Sequence, residues 1–403
     1  VPRTGVIYVM TEARRRGYHP DDPQWANLGQ GAPETGLLEG GGERVHTIAL
    51  DDDVHEYTPV DGTPELKAAV AKLYNERYRK GKESQYTEAN VSICSGGRLA
   101  LARIVAALDR SNVGHFLPDY TAYEELLGAI GTFASIPILL DPARQYDFNS
   151  AELRDEILGR GLSAVLRSNP CNPTGKLIRG NHLAGWVDTC TELGCTLILD
   201  EFYSHYIYDR EEPISAAAHV DDVNEDPVLI LDGVTKNWRY PGWRLAWTVG
   251  PESIIQSIAS VGSFLDGGAA HPIQKAVLPL VEIELANAEA RAVRETFGPK
   301  RTQLMEGLEA LGISVDFQPE GGFYCWGSVA DLPEGYRTGT EFFRKALEAG
   351  VIVVPGRFFD INPGHRRPDR PSRFQNFVRF SFGPSADVID RGLKQLGEML
   401  SKS

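Results

Sequence analysis

Asp232-Gly-Val-Thr-Lys236-Asn-Trp-Arg-Tyr-Pro-Gly242-Trp243-Arg244 decides how this chain reads: a lysine follows the apolar run Val228 to Leu231, and an arginine stands eight positions after the lysine. The run reads as a buried strand, so Lys236 stands near a strand end. That is a poor place for a solvated charge and a good one for an amine that must lose its proton and attack a carbonyl. Asn169-Pro-Cys-Asn172-Pro-Thr-Gly175 and Asp200-Glu-Phe-Tyr203 also follow apolar runs, and Val378-Arg379-Phe-Ser381 closes the set.

Outward from the lysine, short apolar runs alternate with longer helical patterns. Strands are expected at Val91–Cys94, Val113–Leu117, Ile136–Leu140, Ala164–Arg167, Thr196–Leu199, Val228–Leu231 and Leu245–Val249. Helices are expected at Leu99–Leu108, Tyr123–Ala129 and His182–Glu192. Unbroken apolar strands are buried on both faces, and β-α alternation predicts an α/β fold with a mostly parallel central sheet covered by helices. Ligands of such sheets sit at the carboxyl ends of the strands, where the motifs fall. The last hundred residues change style. A long charged helix, roughly Val281 to Leu311, precedes short strands at Ser314–Phe317, Phe323–Trp326, Val351–Val354 and Val378–Phe382. The expected division is a large α/β domain over 46–299 and a smaller α+β domain from 300–403, with 1–45 as an arm docked on it.

At 403 residues, two domains are the default, and 42% hydrophobic with 24% charged residues is ordinary for a soluble globular protein. The net charge of −14 argues against a nucleic-acid partner. No apolar run has membrane-spanning length, and Val1 to Gly17 lacks the apolar core of a signal peptide. Cys94, Cys171, Cys190, Cys195 and Cys325 show neither CxxC nor metal-ligand spacing, so no metal and a reduced, cytoplasmic setting are expected.

Three residue patterns carry chemistry by themselves. Ser95-Gly96-Gly97-Arg98 follows a strand and opens a helix, where free N–H groups bind anions, although many Gly-Gly turns exist for steric reasons alone. Asp200 ends an apolar strand, and its carboxylate either meets a buried cation or caps the next element. Arg379 stands among apolar neighbours, which implies an anionic ligand or else a salt bridge within the smaller domain.

In their order, the four motifs resemble the class I/II aminotransferases, fold type I of the pyridoxal-phosphate enzymes, and the resemblance covers almost the whole chain. It implies a PLP-dependent aminotransferase acting on an α-amino acid through an aldimine on Lys236. The cofactor would be pyridoxal 5'-phosphate, with its phosphate at Gly96, Gly97, Arg98 and Arg244. Asp200 would meet the ring nitrogen, Tyr203 and Asn172 the phenolic oxygen, and Tyr120 the ring face. Arg379 would clamp the substrate carboxylate, with Asn172 and the backbone of Gly31 lining that pocket. The position three before the lysine, often a phosphate-binding serine in the family, is Gly233, and the hydroxyl of Thr235 would stand in for it. Tyr57 resembles the tyrosine that reaches the neighbouring subunit's phosphate, implying a homodimer with shared active sites, although a tyrosine in such a segment can also be plain packing.

Two stretches stand apart. Ser263-Phe-Leu-Asp-Gly267-Gly268-Ala-Ala-His271-Pro reads as small and flexible, with His271 a loop residue. Gly356 to Arg373 carries Arg357, Arg366, Arg367, Arg370 and Arg373 and reads as a solvated loop, or in a second reading as a cationic lid. A bulky-substrate branch of the same scaffold is the alternative: β/γ-elimination, replacement or carbon–carbon bond formation, like the aminocyclopropane-carboxylate synthases that act on S-adenosylmethionine. A regulator built on this fold would need a preceding DNA-binding domain, for which the chain leaves no room.

Overall fold

The computed structural model describes residues 5–108, 111–129, 134–210, 212–315, 317–365 and 371–402. Among them the strands are β1 (Ala26–Asn27), β2 (Val91–Cys94), β3 (Asn112–Leu117), β4 (Ala134–Leu139), β5 (Ala164–Ser168), β6 (Thr196–Asp200), β7 (Val228–Gly233) and β8 (Ala246–Val249). Later in the chain come β9 (Tyr324–Ser328), β10 (Val351–Ile352), β11 (Val354–Pro355) and β12 (Phe377–Ser381). A seven-stranded sheet has the order β2-β8-β7-β6-β5-β3-β4. All its neighbours pair in parallel except those involving β8, which runs antiparallel to both β2 and β7. The mostly parallel α/β fold is therefore as the apolar runs imply. Every residue of β2, β5, β7 and β8 is buried, the condition that makes such strands read as unbroken apolar runs.

Helix boundaries follow local chemistry. Thr63 caps the helix Pro64–Tyr78, with proline in its first turn. Asn149 and Glu152 form a capping box on Ser150–Arg160, which stops at the left-handed Gly161. Gly194 ends Gly180–Leu193 in the same way. The long helix Ile283–Ala310 runs unbroken past 299 and leads to a three-stranded antiparallel sheet, β11-β12-β9.

Two expectations need adjustment here. The run Val351–Val354 divides at Val353 into two short strands that join different sheets, β10 with β1 and β11 with β12. At Ser314–Phe317 the described residues give only a bridge from Ser314 to Ser328, and residue 316 lies outside them. The first residues pack beside these strands: Tyr8 of the helix Gly5–Arg15 meets the rings of Phe343 and Phe358.

The stretch read as small and flexible is held firmly. The helix Glu252–Leu265 runs into it, and Asp266 pairs with Arg103, whose side chain is wholly buried. Arg103 Nε donates to Asp266 at 3.0 Å and Nη1 donates to the carbonyls of Val60 and Ile93, both at 3.2 Å. His271, expected in a loop, starts the helix His271–Val277. Removing one partner of a buried pair strands the other charge. Asp266→Asn is accordingly expected to lower stability by about 3–5 kcal/mol. Denaturant titration would show this as a fall in midpoint at constant slope; an unchanged midpoint would mean that the pair does not hold this segment.

Candidate active site

Lys236 follows β7 and is half-buried, in a segment whose surrounding residues are almost all buried. Its Nζ donates to the carbonyl of Gly31 and stands 5.9 Å from the ring centroid of Phe323. Burial pushes the amine down to about 7, and the guanidinium groups of Arg379, Arg244 and Arg98 push the same way, opposed by Asp200. At neutral pH a large share of the amine is therefore uncharged and nucleophilic.

Asp200 ends β6, half-buried. Its Oδ2 accepts from the Tyr123 hydroxyl at 2.8 Å and Oδ1 from the Phe202 amide at 3.4 Å. Burial raises this carboxyl to about 6, while the Tyr123 hydrogen bond pulls it down. The Phe202 contact is a weak cap, so the turn reading of Asp200 holds in small part; the stronger bond comes from a tyrosine 77 positions away.

The turn after β2 is built for close approach. Gly96 has φ 94° and starts the helix Gly97–Ala107 with no side-chain cap. A Cβ on Gly96 would lie 2.5 Å from Arg244 Nη2, and one on Gly97 would lie 2.5 Å from the Phe202 ring. Arg244 thus reaches over uncapped N–H groups, which suits a phosphate. Arg98 is exposed, with Nη2 3.5 Å from the Tyr120 hydroxyl. Gly233 has a physical reason to be glycine, because a Cβ there would stand 2.6 Å from the Ala246 Cα across the sheet. No serine fits at that position, and the Thr235 Oγ1 beside it is buried with no partner among the described residues.

Arg379 lies in β12, 1% exposed. Nη1 donates to Asn172 Oδ1 at 2.9 Å, Nη2 donates to the Gly29 carbonyl at 2.7 Å, and Nε has no partner among the described residues. Its guanidinium carbon stands 4.2 Å from the ring centroid of Tyr324 and 5.1 Å from that of Phe359. The pairing with an acid of the smaller domain is not present among the described residues. Asn172 Nδ2 donates to the Tyr203 hydroxyl at 3.4 Å, which in turn lies 3.0 Å from that of Tyr324. Gly31 is constrained too, since a Cβ there would be 2.7 Å from the Tyr324 hydroxyl. Tyr120 is half-buried and meets Tyr123 edge to face at 5.4 Å.

These contacts bring Lys236, Asp200, Tyr203, Asn172, Arg379, Gly31, Tyr120, Arg98, Arg244, Thr235, Gly96 and Gly97 into one region at the carboxyl ends of β2, β5, β6 and β7. Tyr57 stands apart, fully exposed. Sequence reasoning missed Tyr123, Tyr324 and Phe359. Only Tyr123 left a signal, standing three positions after Tyr120 where the helix Tyr123–Ala129 begins.

Phe359 comes from the arginine-rich insert, and its placement corrects the solvated-loop reading for 356–365. Phe359 and Ile361 are wholly buried, the Phe359 carbonyl accepts from the Asp119 amide at 3.4 Å, and the Asn362 amide donates to Glu124 Oε2 at 2.9 Å. Apolar residues inside the charged stretch draw it onto the core. Arg357 and Arg373 are exposed, while Arg366, Arg367 and Arg370 lie outside the described residues.

At the strand ends the fold gathers a lysine of lowered basicity, an uncapped helix start faced by Arg244, and a buried arginine, Arg379. Residues 23–396 match the family described as Aminotransferase class I and II, and the chain belongs to that family. It is 29% identical over 409 residues to a valine–pyruvate aminotransferase of Mycobacterium tuberculosis, covering 99% of this chain and 97% of that one. It is 28% identical over 360 residues to an aspartate/prephenate aminotransferase of Thermus thermophilus, covering 88% and 86%. In fold it is similar to the solved Thermus thermophilus aspartate aminotransferase with maleate, with a TM-score of 0.80, 23% identity and coverage of 99% and 97%. The chain is an amino-acid aminotransferase, a pyridoxal-phosphate-dependent transferase. The elimination or carbon–carbon alternative is not favoured, since these relatives are named as aminotransferases.

The depressed Lys236 gives a direct test. In protein stripped of cofactor, acetylation of Lys236 measured by peptide mass spectrometry should rise with pH and reach half its maximal rate at about 7. Below that pH the amine is protonated and inert; a midpoint near an ordinary lysine's would contradict the assigned environment.

Proposed function

We propose that this aminotransferase holds pyridoxal 5'-phosphate on Lys236 and takes the amino group from an α-amino acid whose carboxylate is clamped by Arg379. The observation that carries the reading is the meeting of a deprotonatable lysine, a tyrosine-bonded carboxylate at Asp200 and a buried arginine, Arg379, with no carboxylate partner among the described residues. The donor set fits the group: Gly96, Gly97 and Arg244 offer an anion cradle, and Thr235 Oγ1 and Arg379 Nε are buried polar atoms with no partner among the described residues.

When bound, the cofactor supplies an aldehyde that captures amines and a ring that accepts the electron pair of the broken Cα–H bond. Asp200, held by Tyr123, would offer its carboxylate to the ring nitrogen of the bound cofactor. Tyr203, whose hydroxyl accepts from Asn172, would hydrogen-bond the phenolic oxygen. Tyr120 would cover the ring face. Arg379 keeps free N–H groups beyond its bonds to Asn172 and Gly29, enough for a bidentate grip that fixes the Cα–H direction. Lys236, largely neutral near pH 7, would serve as the base that takes the proton from Cα, as a general base tuned to its working pH should.

A homodimer with shared sites is part of the proposal. Tyr57 is fully exposed and Phe264 is 76% exposed. They flank segments that touch, since Thr58 Oγ1 donates to the Ala269 carbonyl at 3.4 Å. Such aromatics suit a second copy of the chain. We propose also that 46–299 and 1–45 with 300–403 act as two units, because the seven-stranded sheet falls in the first and β9 to β12 with β1 in the second. No helix among the described residues is long and apolar enough to cross a membrane. Five buried free cysteines support a reducing, cytoplasmic setting.

A panel of amino acids added to the holoenzyme tests the reaction: transamination should convert the cofactor to its amine form with one equivalent of 2-oxo acid released. Conversion without oxo acid, or none with any amino acid, would refute it. Asp200→Ala should lower kcat by about 10²-fold or more while Tyr203→Phe loses less, because a charge partner outweighs a tuning hydroxyl. Comparable losses would contradict the roles given to the two residues. Mixing Lys236→Ala with Tyr57→Ala protein should recover part of the activity if Tyr57 serves the neighbouring site; an active monomer would refute sharing.

A further inference from the structure

Asp119 is 0% exposed, stands one residue before Tyr120, and has no part in the chemistry described above. Three donors converge on it. Oδ1 accepts the Tyr120 amide at 2.7 Å and the Ser168 hydroxyl, and Oδ2 accepts the Ser168 amide at 3.2 Å. Ser168 ends β5, and its Oγ accepts the Asn172 amide at 3.1 Å. Asn172 then takes Arg379 on its oxygen and gives its amide to Tyr203.

The direction of this chain is fixed by what each group can do. A backbone N–H only donates, a carboxylate only accepts, and the serine hydroxyl between them does both. Burial raises the Asp119 carboxyl to about 7, and in its ionised form it takes the Ser168 proton, which leaves the serine lone pairs for Asn172. A guanidinium also only donates, so Asn172 must turn its oxygen to Arg379. Ionised Asp119 thus orders two separate segments, the Tyr120 loop directly and the Asn172 loop through Ser168.

Resting on the proposed function, we infer that Asp119 is a positioning residue that holds Tyr120 against the cofactor ring and, by way of Ser168 and Asn172, holds the Arg379 carboxylate clamp. The two arms separate by mutation. Ser168→Ala cuts only the Asn172 arm, Asp119→Ala cuts both, and Asp119→Asn keeps the Oδ1 acceptor.

The test uses two carbonyl reagents of similar size on the holoenzyme, aminooxyacetate and O-methylhydroxylamine, followed through the cofactor's absorbance. Only the first has a carboxylate, so the ratio of their rate constants reads the clamp without any need for a known substrate. The ratio should fall about tenfold in Ser168→Ala and in Asp119→Ala, in the range expected when a held group loses its orientation. Visible circular dichroism of the bound cofactor reads the Tyr120 arm. It should be unchanged in Ser168→Ala, reduced in Asp119→Ala and largely kept in Asp119→Asn. Arg379→Ala is the control. A ratio it does not lower would overturn the proposed role of Arg379 itself. A ratio lowered by Arg379→Ala but intact in Ser168→Ala, or dichroism intact in Asp119→Ala, would overturn the present inference alone. Should Asp119→Ala fail to fold, Ser168→Ala and Asp119→Asn still decide it: dichroism lost in Ser168→Ala, or lost in Asp119→Asn, would overturn the assignment of Tyr120 to the Oδ1 acceptor.

Discussion

Everything at this site depends on keeping one lysine uncharged in water near neutral pH. Lys236 meets this condition by two effects that act in the same direction: removal of solvent and the fields of Arg379, Arg244 and Arg98. The arginines cannot neutralise themselves, so the site is short of negative charge by design of its residue types. A phosphate and a substrate carboxylate would each relieve part of that shortage. The lysine's depressed basicity and the site's appetite for anions therefore have one origin.

The sheet makes this arrangement possible because it tolerates close approach. Gly233 lets β7 and β8 come together where any side chain would clash, and that closeness sets where Thr235 and Lys236 emerge. Gly96 and Gly97 leave space for Arg244 and Phe202. On the other side, β12 delivers Arg379 between two aromatic rings, one from β9 and one from the insert. Stacking on ring faces restrains a guanidinium without using its N–H groups, so those not bonded to Asn172 and Gly29 remain for a ligand.

Much of this was legible in the sequence, and the reason is positional. Lys236, Asp200 and Asn172 follow apolar runs, and strand ends are where parallel sheets bind ligands, so polar residues there announce themselves. The parallel core was legible for the same reason, although the reversed β8 was not, because an apolar run carries no direction. Tyr123, Tyr324 and Phe359 were missed because each acts through a contact with a residue far away in the chain, and an aromatic residue looks the same in a core as beside a charge. The insert misled through its composition: five arginines suggested a solvated segment, while Phe359 and Ile361 anchor part of it in the core. Gly233 was visible as a departure from the family's serine, yet its cause, a backbone that a Cβ there would meet at 2.6 Å, exists only in three dimensions.

The central claim is that Lys236 carries the cofactor, and reductive trapping tests it most directly. Borohydride treatment of the yellow holoenzyme, followed by peptide mapping, should place the whole of the stable cofactor label on the peptide containing Lys236 and abolish activity in proportion to labelling. Label on another lysine, or full labelling with activity retained, would contradict the account.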